Sequence, residues 1–256
     1  MNFFHAVVLG IVEGITEFLP ISSTVHMILA GRLLGLQQTD FLKSFEIAIQ
    51  LGAILSVLVL YGRLLWGNPK ILTRVFGAFL PTAFLGFFCY KLIKQYLLAS
   101  HQIVLFSLFF GGILMILFEK FHREGENAAD QIENISWGKI FLIGVFQSIA
   151  MVPGVSRSAA TILGGLLLGF KRKTIVEFSF FLAIPTMAAA AGLDLLRSST
   201  TFSLGEVELL AVGLVVAFGT ALWSIRFLIH FIQRHNFVPF GIYRVVAALI
   251  FWWSFH

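Results

Sequence analysis

Residues 9–35 read "LGIVEGITEFLPISSTVHMILAGRLLG". This stretch is as apolar as a membrane helix, yet Glu13 and Glu17 lie within it and Pro20 interrupts it. Four further polar side chains follow the proline: Ser22, Ser23, Thr24 and His26. Ionisable side chains are costly in hydrocarbon, where they usually face a protected polar cavity. The stretch therefore predicts a functional pocket inside a membrane.

The composition of the whole chain indicates that this stretch belongs to a membrane protein. The 256 residues are 58% hydrophobic and 12% charged, and their mean hydropathy is +0.92. Soluble domains are about half apolar and about a quarter charged, so the chain is predicted to be a single all-α, polytopic membrane domain over 1–256. Its one cysteine, Cys89, excludes an intrachain disulfide. The net charge of +5 does not indicate a nucleic-acid partner, because the basic residues lie mainly in short loops between apolar segments.

Apolar segments divide the chain into spans and loops. A bilayer-spanning helix needs about 17–25 residues, and six apolar runs meet that length: 41–62, 71–93, 101–119, 174–194, 207–229 and 239–255. The polar stretch "EKFHREGENAADQIENIS" (119–136) separates the chain into two nearly equal parts and is interpreted as a solvated loop.

Two further apolar stretches, 3–35 and 136–170, are each interrupted, at "FLPISS" and at "MVPGVSRS". Their arms of roughly 12–17 residues are too short to cross alone, which predicts re-entrant helical hairpins. Non-helical backbone at membrane depth requires surrounding protein or a water-filled cavity. Both interruptions are therefore expected to border one.

The two interrupted stretches resemble each other. Aligning 9–35 with 143–169 gives nine identities in 27 positions, including both serines at Ser22 and Ser156. This pattern favours an internal repeat: repeat one is about 1–119, a connecting loop about 120–135, and repeat two about 136–256. Each repeat has one hairpin and three transmembrane helices, so the repeats must run in opposite directions, as in inverted-topology folds.

Basic residues predict the orientation. One side of this topology carries Arg63, Lys70, Arg74, Lys120, Arg123, Lys139, Lys171, Arg172, Lys173 and Arg234. The other side carries Arg32, Lys43, Lys94 and Arg197, with Lys91 nearby. Because basic loops stay in the cytoplasm, the richer side is predicted to be cytoplasmic. The first hairpin then enters from outside.

Glu13 and Glu17 are four residues apart and share one helical face. Two carboxylates this close repel each other, so that one takes up a proton or the pair binds a cation. Either outcome serves chemistry, as a proton shuttle or as oxygen ligands for a hard divalent ion. The alternative is a structural pair that bonds the backbone of the hairpin.

The hydroxyl groups of Ser22, Ser23 and Thr24 fall at the predicted N-terminus of the second arm. Free N–H groups and the helix dipole favour an anion there, although ordinary N-capping would explain one hydroxyl. One serine could be a nucleophile, with His26 as its proton acceptor or donor.

The second interruption, "PGVSRSAAT" (153–161), places an arginine among hydroxyl groups: Ser156, Arg157, Ser158 and Thr161. A guanidinium suits bidentate phosphate recognition. The alternative role for Arg157 is to neutralise Glu13 or Glu17. Together the two interruptions predict a pocket for a phosphate or diphosphate headgroup whose apolar tail remains in lipid.

Other polar residues carry weaker signals. Glu46 and Gln50 share a helix face, and Glu177 has a roughly corresponding place in the second half, which suggests supporting or packing roles. Asp194, Arg226 and Arg244 lie near the ends of spans, which predicts interfacial positions.

Four motifs resemble the bacitracin-resistance type of undecaprenyl-diphosphate phosphatase. They cover essentially the whole chain: "EGITEFLPISST.H" (13–26), "FEIAIQLGAI" (45–54), "PGVSRSAAT" (153–161) and "EFSFFLAIP" (177–185). The resemblance implies an enzyme of the bacterial inner membrane that hydrolyses undecaprenyl diphosphate, recycles the lipid carrier for peptidoglycan and confers bacitracin resistance. It also implies a divalent cation (Mg or Ca) and a site open to the periplasm. A homodimer is one assembly that the sequence permits.

The resemblance implies functional roles for Glu13, Glu17, Ser23, His26, Ser156, Arg157 and Thr161. Val25 and Ala159 stand where the family commonly has glycine. The expected mechanism has Arg157 holding the diphosphate while Ser23, assisted by His26, attacks the terminal phosphorus. A water positioned by Glu17 is the alternative nucleophile. The rival function is an inverted-repeat transporter of a polyprenyl phosphate, or a protein that does both.

Overall fold

The computed structural model describes residues 1–92, 101–126, 128–197 and 202–255, and side chains over 1–88, 102–126, 128–193 and 202–253. Ten α-helices lie in this part of the chain. In order they are α1 (Phe3–Thr16), α2 (Ser23–Leu33), α3 (Asp40–Gly67), α4 (Pro69–Leu92), α5 (His101–Phe121), α6 (Trp137–Ser148), α7 (Arg157–Leu167), α8 (Arg172–Arg197), α9 (Leu204–Ile232) and α10 (Val238–Phe255). The all-helical prediction is confirmed.

Helix lengths separate two kinds of element. α3, α4, α5, α8 and α9 are each long and apolar enough to cross a membrane, and α10 is an apolar helix of 18 residues. α1, α2, α6 and α7 have 14, 11, 12 and 11 residues and are too short to span alone. Each half of the chain thus contains two short helices followed by three long ones, at the places the sequence predicted.

The short helices pair across each interruption, α1 with α2 and α6 with α7. Matching glycines end the second member of each pair: Gly35 has φ 65° and Gly169 has φ 81°. A left-handed residue directly after a helix is a common stop signal, and glycine adopts it without steric cost. The resemblance between the two interrupted stretches therefore extends to their backbone geometry.

Close helix crossings bring the two halves together. A Cβ at Gly14 of α1 would lie 2.4 Å from the carbonyl oxygen of Ala217 in α9. A Cβ at Gly144 of α6 would lie 2.1 Å from the carbonyl oxygen of Ala78 in α4. α1 therefore packs on a helix of the second half, and α6 on a helix of the first. α5 and α10 form a further contact between the halves.

Several basic loops meet on one face of the bundle. Lys171 Nζ lies 3.1 Å from Asp130 Oδ2, and Arg172 forms an ion pair with Glu119. Glu119 also accepts a hydrogen bond of 3.0 Å from the backbone N–H of Phe237. The connecting loop is therefore packed in part, with Ile132 and Ile135 buried, rather than wholly solvated as predicted. On the sparser side, Lys94 and the side chains of Lys91 and Arg197 lie outside the described residues.

Candidate functional site

The two interruptions meet in space. Arg157 Nη2, at the start of α7, donates to Glu17 Oε1, just after α1, at 2.9 Å. The pair is largely buried, with 13% and 7% of the two side chains exposed. In this environment an ion pair is screened far less than at a surface. The predicted convergence of Glu17 and Arg157 is confirmed.

Both interruptions contain a serine in the left-handed region. Ser22 has φ 72° and Ser156 has φ 74°, and each directly precedes a helix, α2 or α7. This conformation is uncommon for a residue with a side chain. The positions where the family commonly has glycine, Val25 and Ala159, lie inside α2 and α7. Neither is among the described residues of positive φ, so valine and alanine meet no backbone penalty there.

A cavity of about 280 Å³ opens beside the ion pair. Its polar lining includes groups from both interruptions and from the long helices: Glu17, Ser22, Ser23, Thr24, Gln50, Thr82, Gln147, Ser156, Arg157 and Thr186. The N-termini of α2 and α7 both border it, because Ser22 and Ser156 belong to the lining. Helix N-termini attract anions, so the cavity suits a negatively charged group.

Glu17 connects the polar groups of this cavity. Ser23 Oγ donates to its second oxygen, Oε2, at 2.5 Å. Arg157 Nη1 donates to the carbonyl of Ser179 at 2.7 Å. The guanidinium is thus fixed from two directions, while the serine hydroxyl lies directly against a carboxylate. A carboxylate at this distance can accept the proton of an attacking hydroxyl group.

Among the described residues, no hydrogen bond joins His26 to Ser23. One ring nitrogen, Nδ1, lies 2.8 Å from the carbonyl oxygen of Ser22, and the other, Nε2, lies 2.8 Å from the hydroxyl of Tyr243. The ring stacks on Tyr243 and does not line the cavity. His26 therefore contacts the backbone of the left-handed serine rather than the predicted nucleophile.

The remaining hydroxyl groups of the second interruption have separate places. Ser158 Oγ donates to the carbonyl of Leu19 at 2.9 Å, which joins the two interruptions directly. Thr161 is buried and donates to the carbonyl of Arg157 at 2.9 Å. Ser156 Oγ accepts from the backbone N–H of Ala159 at 3.3 Å and caps α7. Of these three, Ser156 alone lines the cavity.

Glu13 is not among the residues that line the cavity. It is 1% exposed, and neither of its carboxylate oxygens has a hydrogen-bond partner among the described residues. Glu17, Glu46 and Arg157 lie close enough to Glu13 to interact with it electrostatically. Within the described part of the chain, no three His, Cys, Asp or Glu side chains are grouped to hold a metal ion. A cation here would therefore need hydroxyl, carbonyl or phosphate oxygens as well as carboxylates.

Sequence reasoning did not single out Gln147. Its side chain is 1% exposed, and its Nε2 donates to Thr82 at 3.0 Å and to Thr186 at 3.1 Å. Thr161 lies 3.5 Å from its Oε1. Gln147 aligns with Glu13 when 143–169 is placed on 9–35, and that alignment was an available signal.

The predicted interfacial position of Arg244 is wrong. Its side chain is 1% exposed and donates to backbone carbonyls in both interruptions and in α5: Pro20, Ser107, Leu108, Gly154 and Val155. A buried guanidinium requires several acceptors, and free carbonyls of the interruptions provide them. Arg226 is exposed, and the side chain of Asp194 lies outside the described residues.

Known proteins are similar in sequence to this chain over nearly its whole length. The family model described as bacitracin resistance protein BacA matches residues 6–250. The chain is 51% identical to an undecaprenyl-diphosphatase of Sulfurihydrogenibium sp. (strain YO3AOP1), over 98% of this chain and 99% of that protein. It is 48% identical to an undecaprenyl-diphosphatase of Wolinella succinogenes, over 98% and 97% of the two chains. It is 46% identical to an undecaprenyl-diphosphatase of Thermus thermophilus, over 97% and 95%.

Proposed function

This chain belongs to the BacA family of bacitracin resistance proteins, and from that premise we propose that it hydrolyses undecaprenyl diphosphate to undecaprenyl phosphate and inorganic phosphate. The observation that carries the proposal is the Glu17–Arg157 ion pair, which joins the two interruptions at a polar cavity. Through this reaction the chain recycles the lipid carrier of peptidoglycan and other envelope glycans. Regenerating the carrier from the form that bacitracin sequesters confers resistance.

The polar cavity can bind the diphosphate headgroup of the substrate. The positively charged guanidinium of Arg157 can donate two parallel hydrogen bonds to phosphate oxygens. The N-termini of α2 and α7 direct N–H groups toward the same space. Large apolar side chains cover the outside of the bundle, among them Phe84, Leu114 and Trp253. The headgroup therefore enters a polar site while the prenyl chain remains among apolar groups.

Ser23 is the proposed nucleophile. Its oxygen forms a bond to the terminal phosphorus while the bond from that phosphorus to the bridging oxygen breaks, and undecaprenyl phosphate leaves. Glu17 accepts the hydroxyl proton across the 2.5 Å contact. Water then hydrolyses the phosphoserine and releases inorganic phosphate. In the alternative, Ser23 and Glu17 orient a water that attacks directly.

His26 has a different role in this mechanism from the one first expected. Its contact with the carbonyl of Ser22 stabilises the left-handed turn before α2. This left-handed turn places Ser23 at the cavity. We therefore assign His26 to maintaining the position of Ser23 rather than to proton transfer.

A divalent cation, Mg or Ca, fits the oxygen-rich donor set. Such ions prefer carboxylate and phosphate oxygens, and the unpartnered oxygens of Glu13 lie near Glu17. Glu13 and Glu17 would hold the ion together with phosphate oxygens of the substrate. When bound, it would neutralise negative charge on the phosphates.

The architecture we propose is a pair of inverted repeats in the bacterial inner membrane. Support comes from the helix contacts: α1 packs on α9 as α6 packs on α4, and α3 packs on α9 as α8 packs on α4. When the two halves are exchanged, each of these two pairs of contacts is converted into itself. The positive-inside rule then orients the cavity toward the periplasm. A homodimer stays a prediction that size-exclusion chromatography with light scattering would test.

The decisive experiment measures inorganic phosphate released from undecaprenyl diphosphate by purified protein in detergent. Wild type should release phosphate without a sealed membrane, which a transporter would not. Arg157→Ala and Glu17→Ala should each lose about 100-fold or more in kcat, because one charge then remains buried without its partner. Arg226→Ala, an exposed arginine, is the control. Rates near wild type for both site variants would reject the assignment.

A further inference from the structure

Arg244 joins the two interruptions from within the bundle. Its guanidinium donates to the carbonyl of Pro20 at 3.3 Å, of Gly154 at 3.0 Å and of Val155 at 3.0 Å. It also donates to Ser107 and Leu108 of α5, at 3.2 and 3.4 Å. One side chain thus fixes backbone from residues near 20, near 107 and near 154 relative to one another.

Arg244 and the polar cavity lie on opposite sides of the second interruption. Arg244 and Val155 line a separate apolar cavity of about 600 Å³, between α5, α6 and α7. Gly154 and Ser156, the neighbours of Val155, line the polar cavity instead. Arg244 is not part of that polar lining. Any effect it has on a headgroup must therefore pass through the backbone of the turn.

The carbonyls that Arg244 holds determine where the N–H groups point. In a trans peptide the C=O and the N–H point in opposite directions. With the Val155 carbonyl turned toward Arg244, the N–H of Ser156 is directed to the other side, where the polar cavity lies. Ser156 is held in a left-handed conformation that residues with side chains rarely adopt. Contacts outside the residue must maintain it, and Arg244 supplies two of them through the carbonyls of the preceding residues, Gly154 and Val155.

We propose that Arg244 is a positioning residue for the phosphatase reaction, which keeps the two interruptions at the separation that the reaction requires. The inference rests on the proposed function. Ser23 and Glu17 come from the first interruption, and Arg157 comes from the second. Attack on phosphorus needs all three in place at once, and a displacement of about 1 Å can cost about 100-fold in rate.

Two substitutions test this role. Arg244→Lys keeps the positive charge, but one ammonium group cannot bond five carbonyls spread over three segments. Gly111→Ala leaves Arg244 intact but would place a Cβ 2.3 Å from its Nη2, which forces the guanidinium aside. The matched controls are Arg226→Lys, on an exposed arginine, and Gly219→Ala, where a Cβ meets nothing within 4 Å.

The readout is kcat and KM for phosphate release, expressed per folded molecule after size-exclusion chromatography. Both test variants should lose about 30- to 100-fold in kcat with KM within about threefold of wild type, because binding groups remain while alignment is lost. The controls should retain wild-type values. Gly111→Ala keeps the test valid if Arg244→Lys does not fold.

Two outcomes would overturn the inference. One is a kcat within about twofold of wild type in the folded fraction, which would give Arg244 a role in stability alone. The other is a raised KM at unchanged kcat, which would mean that Arg244 affects binding of the headgroup and not the alignment of the reacting groups. Absence of phosphate release by wild type would instead reject the proposed function, so the two failures are distinguishable.

Discussion

Ser23 Oγ lies 2.5 Å from Glu17 Oε2, while the other oxygen of the same carboxylate binds Arg157. The hydroxyl therefore has its proton acceptor in place before substrate enters. Because Arg157 comes from the other half of the chain, both halves contribute to this arrangement.

Replacing Ser23 tests whether its oxygen forms a covalent bond. Ser23→Ala should lower kcat by about 100-fold or more, since the nucleophilic hydroxyl is removed while its proton acceptor, Glu17, remains. Wild type quenched during turnover should contain phosphoserine at residue 23, detectable by mass spectrometry of its peptides. Ser23→Thr, which keeps a hydroxyl group, is the matched comparison. Absence of phosphoserine together with a modest loss in Ser23→Ala would favour the direct attack of water.

Chelation tests the proposed cation. EDTA should abolish phosphate release, and added Mg or Ca should restore it, because oxygen ligands bind these ions reversibly. Glu13→Gln should raise the cation concentration for half-maximal rate by about tenfold. Thermal unfolding gives a second readout: the ion should raise the Tm of wild type more than that of Glu13→Gln. Glu208→Gln, on an exposed carboxylate, should match wild type; activity that survives EDTA would exclude the cation.

Two glycines of α6, Gly144 and Gly138, allow a matched test of how closely α6 packs on α4. Gly144→Ala should strongly lower the Tm and the yield of folded protein, because its Cβ would lie 2.1 Å from the carbonyl oxygen of Ala78 and the helices must separate. At Gly138 a Cβ meets nothing within 4 Å. Gly138→Ala should be neutral or stabilise by up to about 1 kcal/mol. Equal Tm values for the two variants would contradict the close packing of α6 on α4.

Val25 allows a test of its departure from the family pattern. It is buried inside α2, where it packs with Val104 and Leu108. Val25→Gly should reduce the free energy of unfolding by about 2 kcal/mol, through lost helix propensity and a small cavity. The kcat should stay within about threefold, since residue 25 needs no left-handed conformation. A large gain in kcat for Val25→Gly would show instead that valine restrains the site.

The positions of the helices were predictable because apolar length and the placement of proline and glycine are local signals. The meeting of Glu17 with Arg157 was predictable as well, since opposite charges at two similar interruptions inside lipid favour each other. The role of Arg244 was not predicted, although residue 244 lies five residues inside the predicted span, roughly 8 Å from its end. What a buried arginine bonds depends on which carbonyls the fold leaves free, and its acceptors here lie 89 to 224 residues away. Gln147 was missed for the same reason, because an amide in an apolar helix does not reveal its hydroxyl partners.

The interlaced packing of α1 on α9 and of α6 on α4 has a consequence for biosynthesis. When α1 leaves the ribosome, the helix that covers it is about 200 residues from being made, and translation at about 5–20 residues per second imposes a delay on the order of ten seconds or more. For most of that interval Glu17 lies in the bilayer without Arg157, its ion-pair partner, which is 140 residues further along the chain. The nascent chain must therefore be shielded by lipid, water or the insertion machinery until its second half arrives.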